Sequence, residues 1–204
     1  REVPAVLAVA PVISVASQVV VGARNAATRI TGTTPDFLTA RAWSVRRGRS
    51  FEEADMRSAA KSCLIGETVR AALFDREDAV GRTIRIGRMP CTVIGLLAIK
   101  GQGSFGQDYD DTVILPITTV RARLRGNTNR EVDQIVISVR AAGMMHRAQA
   151  QIEDLLRQRH HLQASDENDF MIRNLQDIMA TMEQTRSTLA TLLLPSGVLA
   201  QDKP

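Results

Sequence analysis

The stretch MPCTVIGLLAIKGQGSFGQDYDDTVILPITT, Met89–Thr119, decides how this chain is read. It holds a G-x-G-x-x-G at Gly101, Gly103 and Gly106, a spacing that lets a backbone approach a pyrophosphate. Such a loop binds phosphate when a strand leads into the glycines and a helix opens directly behind them, because the helix N-terminus supplies free N–H groups and the positive end of a dipole. Cys91–Leu97 can serve as the strand. No helix follows. Gln107-Asp108-Tyr109-Asp110-Asp111 is an acidic turn that repels phosphate, and Thr112-Val113-Ile114-Leu115-Pro116 is a β-branched run that reads as another strand. The stretch is therefore two strands joined by a glycine-rich loop, and the nucleotide reading fails on both charge and topology.

Working outward, Arg82–Ile86 alternates out and in like a half-buried strand, and Gly87-Arg88 supplies a two-residue hairpin turn back into Cys91–Leu97. Upstream, Ser50 followed by Glu53 predicts a capping box opening a brief helix through Met56. Cys63-Leu64-Ile65 predicts a strand, and Glu67–Phe74 a helix with Val69, Ala72 and Leu73 turned inward. Phe37 to Gly126 thus forms a small β-rich module from which the Gly101–Asp111 loop projects. The N-terminal part predicts a short helical or turn segment over Pro4–Val9, then strands at Ile13–Val21 and Ala27–Thr31 joined through Gly22–Asn25. Gly32-Thr33-Thr34-Pro35-Asp36 closes that unit, since the residue before a proline is driven out of the helical region.

After Asn127-Thr128-Asn129 the pattern simplifies to strand, helix, strand, helix. Gln134–Val139 is the first strand, and the helix over Met144–Arg159 places Met145, Ala148, Ile152, Leu155 and Leu156 on one face. Asp169–Ile172 predicts a second strand, and Asn174 caps a last helix carrying Leu175, Ile178, Met179, Met182, Leu189, Leu192 and Leu193. The N-terminal strands and this C-terminal βαβα most economically make one split domain of α+β class, interrupted by the β-rich module.

Composition narrows the function classes. With 44% hydrophobic and 24% charged residues in 204, the chain can bury a core, and its net charge of +4 is mild. Its arginines are scattered and only 3% of its residues are aromatic, which argues against nucleic acid. Arg41, Arg46, Arg47 and Arg49 are the densest basic group and read as a solvated turn. No residue is charged from Val3 through Ala23, but Pro4, Pro11, Ser14, Ser17 and Gln18 oppose a membrane helix. The start, Arg1-Glu2, does not read as a signal peptide, and it suits an excised soluble domain.

No catalytic, cofactor or metal constellation emerges. His160 and His161 are adjacent, so on a helix they point about 100° apart and cannot readily share a metal, and His146 stands alone. Asp108, Asp110 and Asp111 lack the ligand order of a calcium loop and read as a polar turn. There is no G-x-S-x-G and no Walker A motif. Met144, Met145, Met171, Met179 and Met182 read as core and helix-face residues. Cys63 and Cys91 both fall in predicted strands; in an oxidising compartment they form one disulfide if the strands are neighbours, and buried free thiols fit equally well.

Val93-Ile94-Gly95, Lys100-Gly101, Ser104-Phe105-Gly106-Gln107, Asp110-Asp111 and Leu115–Thr119 together resemble the core of the periplasmic domain of MacB-type ABC transporter permeases. Ile30–Phe37, Gly48–Phe51 with Asp55, Leu64-Ile65-Gly66 with Leu73-Phe74, Val80–Ile86, Leu155–His160 and Asp169-Phe170 with Arg173-Asn174 agree in order. The resemblance runs from about Val3 to Thr188. It implies a porter-like subdomain from residues 1–31 and 131–187, an inserted β-rich subdomain over 32–130, and a truncated helix end and tail over 188–204, where the family would continue into a membrane span. It further implies a non-catalytic extracytoplasmic domain on the periplasmic face of the inner membrane. There it would dimerise, dock a periplasmic adaptor leading to an outer-membrane channel, and relay ATP-driven motion from flanking membrane helices and a nucleotide-binding domain outside this chain. The alternative is a related permease that regulates cell-wall hydrolases, senses peptides or extracts lipoproteins. Gln102, Ser104, Phe105 and Gln107 are the candidate partner-contact residues, because glycines let that loop adapt and Phe105 offers an apolar anchor.

Overall fold

Pro4–Val9 is a turn only at Pro4 and Ala5. In the computed structural model, which describes residues 3–103, 106–126 and 131–193, a single 16-residue strand β1 (Val6–Val21) takes in most of it. Ala8, Ala10 and Val12 are buried while Leu7 and Val9 are exposed, a period of two that a strand produces and a helix does not. The chain continues through β2 (Arg24–Thr33), α1 (Asp36–Ala40), β3 (Val45–Gly48), α2 (Glu53–Arg57), β4 (Ser62–Ile65) and α3 (Glu67–Phe74). Next come β5 (Thr83–Ile86), β6 (Met89–Leu97), β7 (Thr112–Pro116), α4 (Ile117–Val120), a π turn over Arg121–Arg125, β8 (Gln134–Val139), α5 (Met145–Arg159) and α6 (Leu175–Leu193).

β1 changes partner midway. Val6–Val12 pairs antiparallel with β8, and Ile13–Val21 pairs antiparallel with β2. Pro11 sits next to this handover, where the ladder is least dependent on its missing N–H, and its carbonyl accepts the Thr33 hydroxyl at 2.8 Å. From β2 the pairings run to β7 (parallel), β4, β6 (parallel to β4), β5 and back to β1, so six strands form a closed circuit of hydrogen-bonded neighbours, with β3 added on β6. The boundary expected at residue 31 falls inside β2, whose Arg29–Thr33 pairs with Thr112–Pro116. Both N-terminal strands are therefore shared with the β-rich part rather than confined to the chain-end part.

The central strands are buried on both faces. Cys63 and Ile65 of β4, Leu96 of β6, and Val113 and Leu115 of β7 join one apolar cluster with Val69, Leu73 and Phe74 of α3. Their alternates Leu64, Leu97 and Ile114 join a second with Phe37, Trp43 and Phe51. This is why these strands read as continuous apolar runs. Leu64, Ile65, Ile114 and Leu115 are at most 1% exposed, and each contributes about 1.5–3 kcal/mol by leaving water.

The cap of α2 differs from the sequence expectation. Its N-cap is Glu52, not Ser50, because the Asp55 carboxylate accepts the Glu52 N–H at 3.0 Å. Asp55, 8% exposed, also takes the Arg49 guanidinium at 2.7 and 3.2 Å. The Arg49 hydrogen bond holds the Asp55 carboxyl below its ordinary range despite burial, and Arg70 does the same for Glu67 on α3. A carboxyl depressed in the folded state gives stability that is present above its unfolded pKa, about 4, and lost as pH falls through the depressed value. The urea midpoint should therefore fall as pH is lowered from about 5 to 3. Asp55→Asn should make that fall shallower and cost about 1 kcal/mol at neutral pH, a modest loss because Arg49 is half exposed. Parallel acid limbs in the two proteins would refute this.

Compactness divides the chain after Ala148. In the second unit the expected strand Asp169–Ile172 is irregular instead, and side chains from the end of α5 hold Asp169 and the segment that precedes it. His160 Nδ1 lies 2.8 Å from the Asp169 carboxylate, and the His160 ring meets Phe170 edge-on at 5.9 Å. The Arg157 guanidinium donates to the carbonyls of Gln163 and Asp166 and to Asn168 Oδ1. Ile152, Leu155 and Leu156 are half-buried, whereas Met171, Leu175 and Met182, like Met144 of the first unit, are exposed rather than core residues. The side chains of Met179, Leu189, Leu192 and Leu193 lie outside the described residues. Arg157→Ala should leave global stability within about 1 kcal/mol, since these contacts are exposed. Limited proteolysis should then cut between Leu162 and Asp169 several-fold faster, and an unchanged cleavage rate would contradict the stapling role.

Candidate functional site

The projecting loop is built from its neck upward. Trp43 Nε1 donates to the Ala98 carbonyl at 2.7 Å, and the Lys100 ammonium stands 5.1 Å over the Trp43 ring while donating to the Arg41 carbonyl. Burial, aided by the Arg41 charge, lowers the Lys100 pKa. Asp110 is 4% exposed; its two carboxylate oxygens accept the N–H groups of Lys100 and Gly101, each at 2.9 Å. Asp108 accepts the Asp110 N–H at 2.8 Å and the Thr68 hydroxyl of α3 at 2.6 Å. Two carboxylates thus tie both legs of the loop to each other and to α3.

Above the neck the loop is a narrow hairpin. Gln102 bridges Asp108 antiparallel, Tyr109 N–H donates to the Gly101 carbonyl at 3.1 Å, and Gly103 N–H donates to the Gln107 carbonyl at 2.8 Å. The three glycines have turn and packing duties. Gly101 and Gly106 hold φ of +71° and +75°, and a Cβ on Gly103 would stand 2.7 Å from the Tyr109 ring. The fingerprint spacing therefore shapes a hairpin.

Of the predicted contact residues, Gln102 and Gln107 are exposed on opposite legs, and Gln107 Nε2 donates to the Tyr109 hydroxyl at 3.0 Å. Ser104 and Phe105 lie outside the described residues. The hairpin thus offers carboxamide donors and acceptors. Sequence reasoning missed Asp108 and Asp110, which it read as a polar turn; the signal was their i, i+2 spacing on the return leg, opposite the backbone N–H groups of Lys100 and Gly101.

The remaining candidates are otherwise engaged. Arg46 pairs with Glu67, Arg47 with Asp78 and Arg49 with Asp55, while Arg41 lies over the Phe37 ring at 5.8 Å. Cys63 and Cys91 are buried thiols on adjacent strands. Among the described residues, no three His, Cys, Asp or Glu side chains gather as metal ligands, and no helix is long and apolar enough to cross a membrane.

Residues 1–155 match the MacB-like periplasmic core domain, and that match takes in both β1 and the hairpin. The chain belongs to this family. The macrolide export ATP-binding/permease protein MacB of Syntrophobacter fumaroxidans is 30% identical, over 98% of this chain and 35% of the relative. Its namesake in Rhodospirillum rubrum is 36% identical over 81% of this chain and 25% of the relative. The chain thus spans about a quarter to a third of the length of the curated relatives it matches. The fold is also that of the periplasmic region of MacB from Actinobacillus actinomycetemcomitans, with a TM-score of 0.72, 21% identity, and 88% and 77% of the two chains covered. The extracellular domain of the noncanonic ABC-type transporter YknZ from Gram-positive bacteria shares it at a TM-score of 0.65, with 16% identity and coverage of 79% and 80%. As a MacB-like core domain, the chain is the periplasmic part of an ABC permease system.

Proposed function

We propose that this MacB-like core domain is a non-catalytic relay in an efflux permease. It passes ATP-driven motion of membrane helices to a periplasmic adaptor and an outer-membrane channel, and it works as a homodimer in the full transporter. The observation that carries the reading is the continuity of β1. Its first half pairs with β8, which we read as part of the porter-like subdomain, and its second half lies in the closed circuit of strands that bears the hairpin. Near the start of that strand, Arg140 N–H donates to the Ala5 carbonyl at 3.0 Å and its guanidinium to the Pro4 carbonyl at 3.1 Å, which joins the two chain-end segments. A displacement applied there passes along one hydrogen-bonded strand without a flexible joint.

In this reading the hairpin docks the adaptor through Gln102, Ser104, Phe105 and Gln107. Photo-crosslinking residues placed at Gln102 and Gln107 of the assembled transporter should capture the adaptor, whereas one at exposed Arg88 of the β5–β6 turn should not. Capture from Arg88 but not from the hairpin would sink the assignment. The runner-up is a related mechanotransmitting permease serving cell-wall hydrolase regulation, peptide sensing or lipoprotein extraction, kept because the same fold also serves as the extracellular domain of a transporter from Gram-positive bacteria. A transporter that works without any adaptor would decide for that alternative.

A further inference from the structure

β1 and β5 share only a short ladder, Val19 opposite Ile86 and Val20 opposite Arg85. Beyond it the strands part: Val21 pairs with Arg24 of β2, while Thr83 and Ile84 pair with Thr92 and Cys91 of β6. A cavity of about 410 Å³ opens in the gap, lined by Val21 and by Leu73 and Phe74 at the end of α3. The inward rows are apolar up to this opening and then change character. Val19, Ile84 and Ile86 are fully buried and Val21 packs on the same cluster; Arg82 stands two residues before Ile84, and Arg24 stands directly opposite Val21. Side chains two apart or directly opposite on a sheet share a face, so both guanidiniums sit at the open rim of the inward face, where they line the cavity together with Glu77. Arg82 donates to Glu77 at 3.1 Å, whereas Arg24 has no ion-pair partner among the described residues. Main-chain bonds hold these positions: the Arg82 carbonyl accepts the Val93 N–H at 2.9 Å, and the Glu77 N–H donates to the Phe74 carbonyl at 2.9 Å.

We propose that this cavity binds a small amphiphile with a single carboxylate, its head on Arg24 at the rim and its apolar tail against Val21, Leu73 and Phe74. The volume lies within the range of small organic ligand sites, about 300–1,000 Å³. A free guanidinium fork matches a planar carboxylate in a bidentate pair. Two guanidiniums against one carboxylate leave a single positive charge at the rim, which suits a monoanion; a dianionic phosphate would be repelled by Glu77. The site stands apart from the hairpin, which Thr68 holds from the other end of α3, so it does not depend on the adaptor assignment.

The test titrates decanoate, below the concentration at which it forms micelles, into the whole chain by calorimetry. The expected result is saturable binding of one molecule, weakened about tenfold or more by Arg24→Gln and by replacing decanoate with uncharged decanol. Arg24 is exposed beside a turn, so the variant should keep the parent's thermal midpoint. Amide NMR shifts should move at Val21, Phe74 and Glu77 and hold still at Lys100 and Gly101. Absence of saturation would overturn the proposal, as would parent-like affinity in Arg24→Gln or shifts confined to residues outside the cavity. Equal affinity for decanol would reduce the effect to apolar adsorption and overturn the role of the guanidinium. Tighter binding of decyl phosphate as a dianion would overturn the choice of a carboxylate.

Discussion

Replacing Gly66 by valine lowers the thermal midpoint by about 10 °C or prevents folding, and Gly66→Ala follows the same direction with a smaller loss. Gly66 lies where β4 ends and α3 begins, at φ −82°, so its backbone suits any residue and space is what matters. A Cβ there would stand 2.1 Å from the Asp110 carbonyl oxygen, 2.8 Å from its carbon and 3.0 Å from its Cα. All three are backbone atoms, and no rotamer change can clear them. Gly66 cannot retreat, because its N–H donates to the Thr112 carbonyl at 3.0 Å and its own carbonyl accepts Arg70 N–H at 3.0 Å. Either β7 separates from β4 or α3 loses its first turn, at a cost of about 3 kcal/mol or more. Melts followed by circular dichroism would measure it. A Gly66→Ala protein within about 1 kcal/mol of the parent would mean that the two segments are less closely held than described.

Asp110→Ala should cost about 3 kcal/mol and loosen the hairpin at its neck. The substitution removes one carboxylate that serves two backbone donors, Lys100 and Gly101, at a buried position, and it leaves both N–H groups without their acceptor. Asp110→Asn preserves volume yet turns an NH2 toward one of those N–H groups, so it should recover part of the loss at most. Hydrogen exchange at Gly101 should accelerate far more than at Leu64 in β4, which separates local fraying from global unfolding. If the hairpin docks the adaptor, cross-links from Gln102 and Gln107 should drop at least tenfold in the same variant while the domain remains folded. Normal exchange at Gly101 would remove Asp110 from its positioning role.

The local elements were legible where one principle acted alone. The alternation Thr83–Ile86, the turn at Gly87-Arg88 and the buried run Thr112–Pro116 each forced a strand or turn whatever their neighbours did. Reading failed where a distant partner decided. Val6–Val9, read as part of a short helical or turn segment, is strand because β8 offers it a ladder, while Pro4 and Ala5 remain a turn. Asp169–Ile172 had strand character and is irregular, where His160 engages Asp169 and Arg157 holds the preceding segment from Gln163 to Asn168.

What the sequence alone determined was the kind of chain this is. Its dispersed blocks from Ile30 to Asn174 carried the family resemblance, and the acidic turn after Gly106 argued against a nucleotide loop, because charge and residue order survive without coordinates. Tertiary structure decided that β1 and β2 belong to the same closed circuit as β4 to β7, that the strands bearing Cys63 and Cys91 are neighbours, and that Asp110 rather than the glycines anchors the loop. Those facts are contacts between residues far apart in the chain. Their pairing depends on strand register and burial, and no local pattern encodes it.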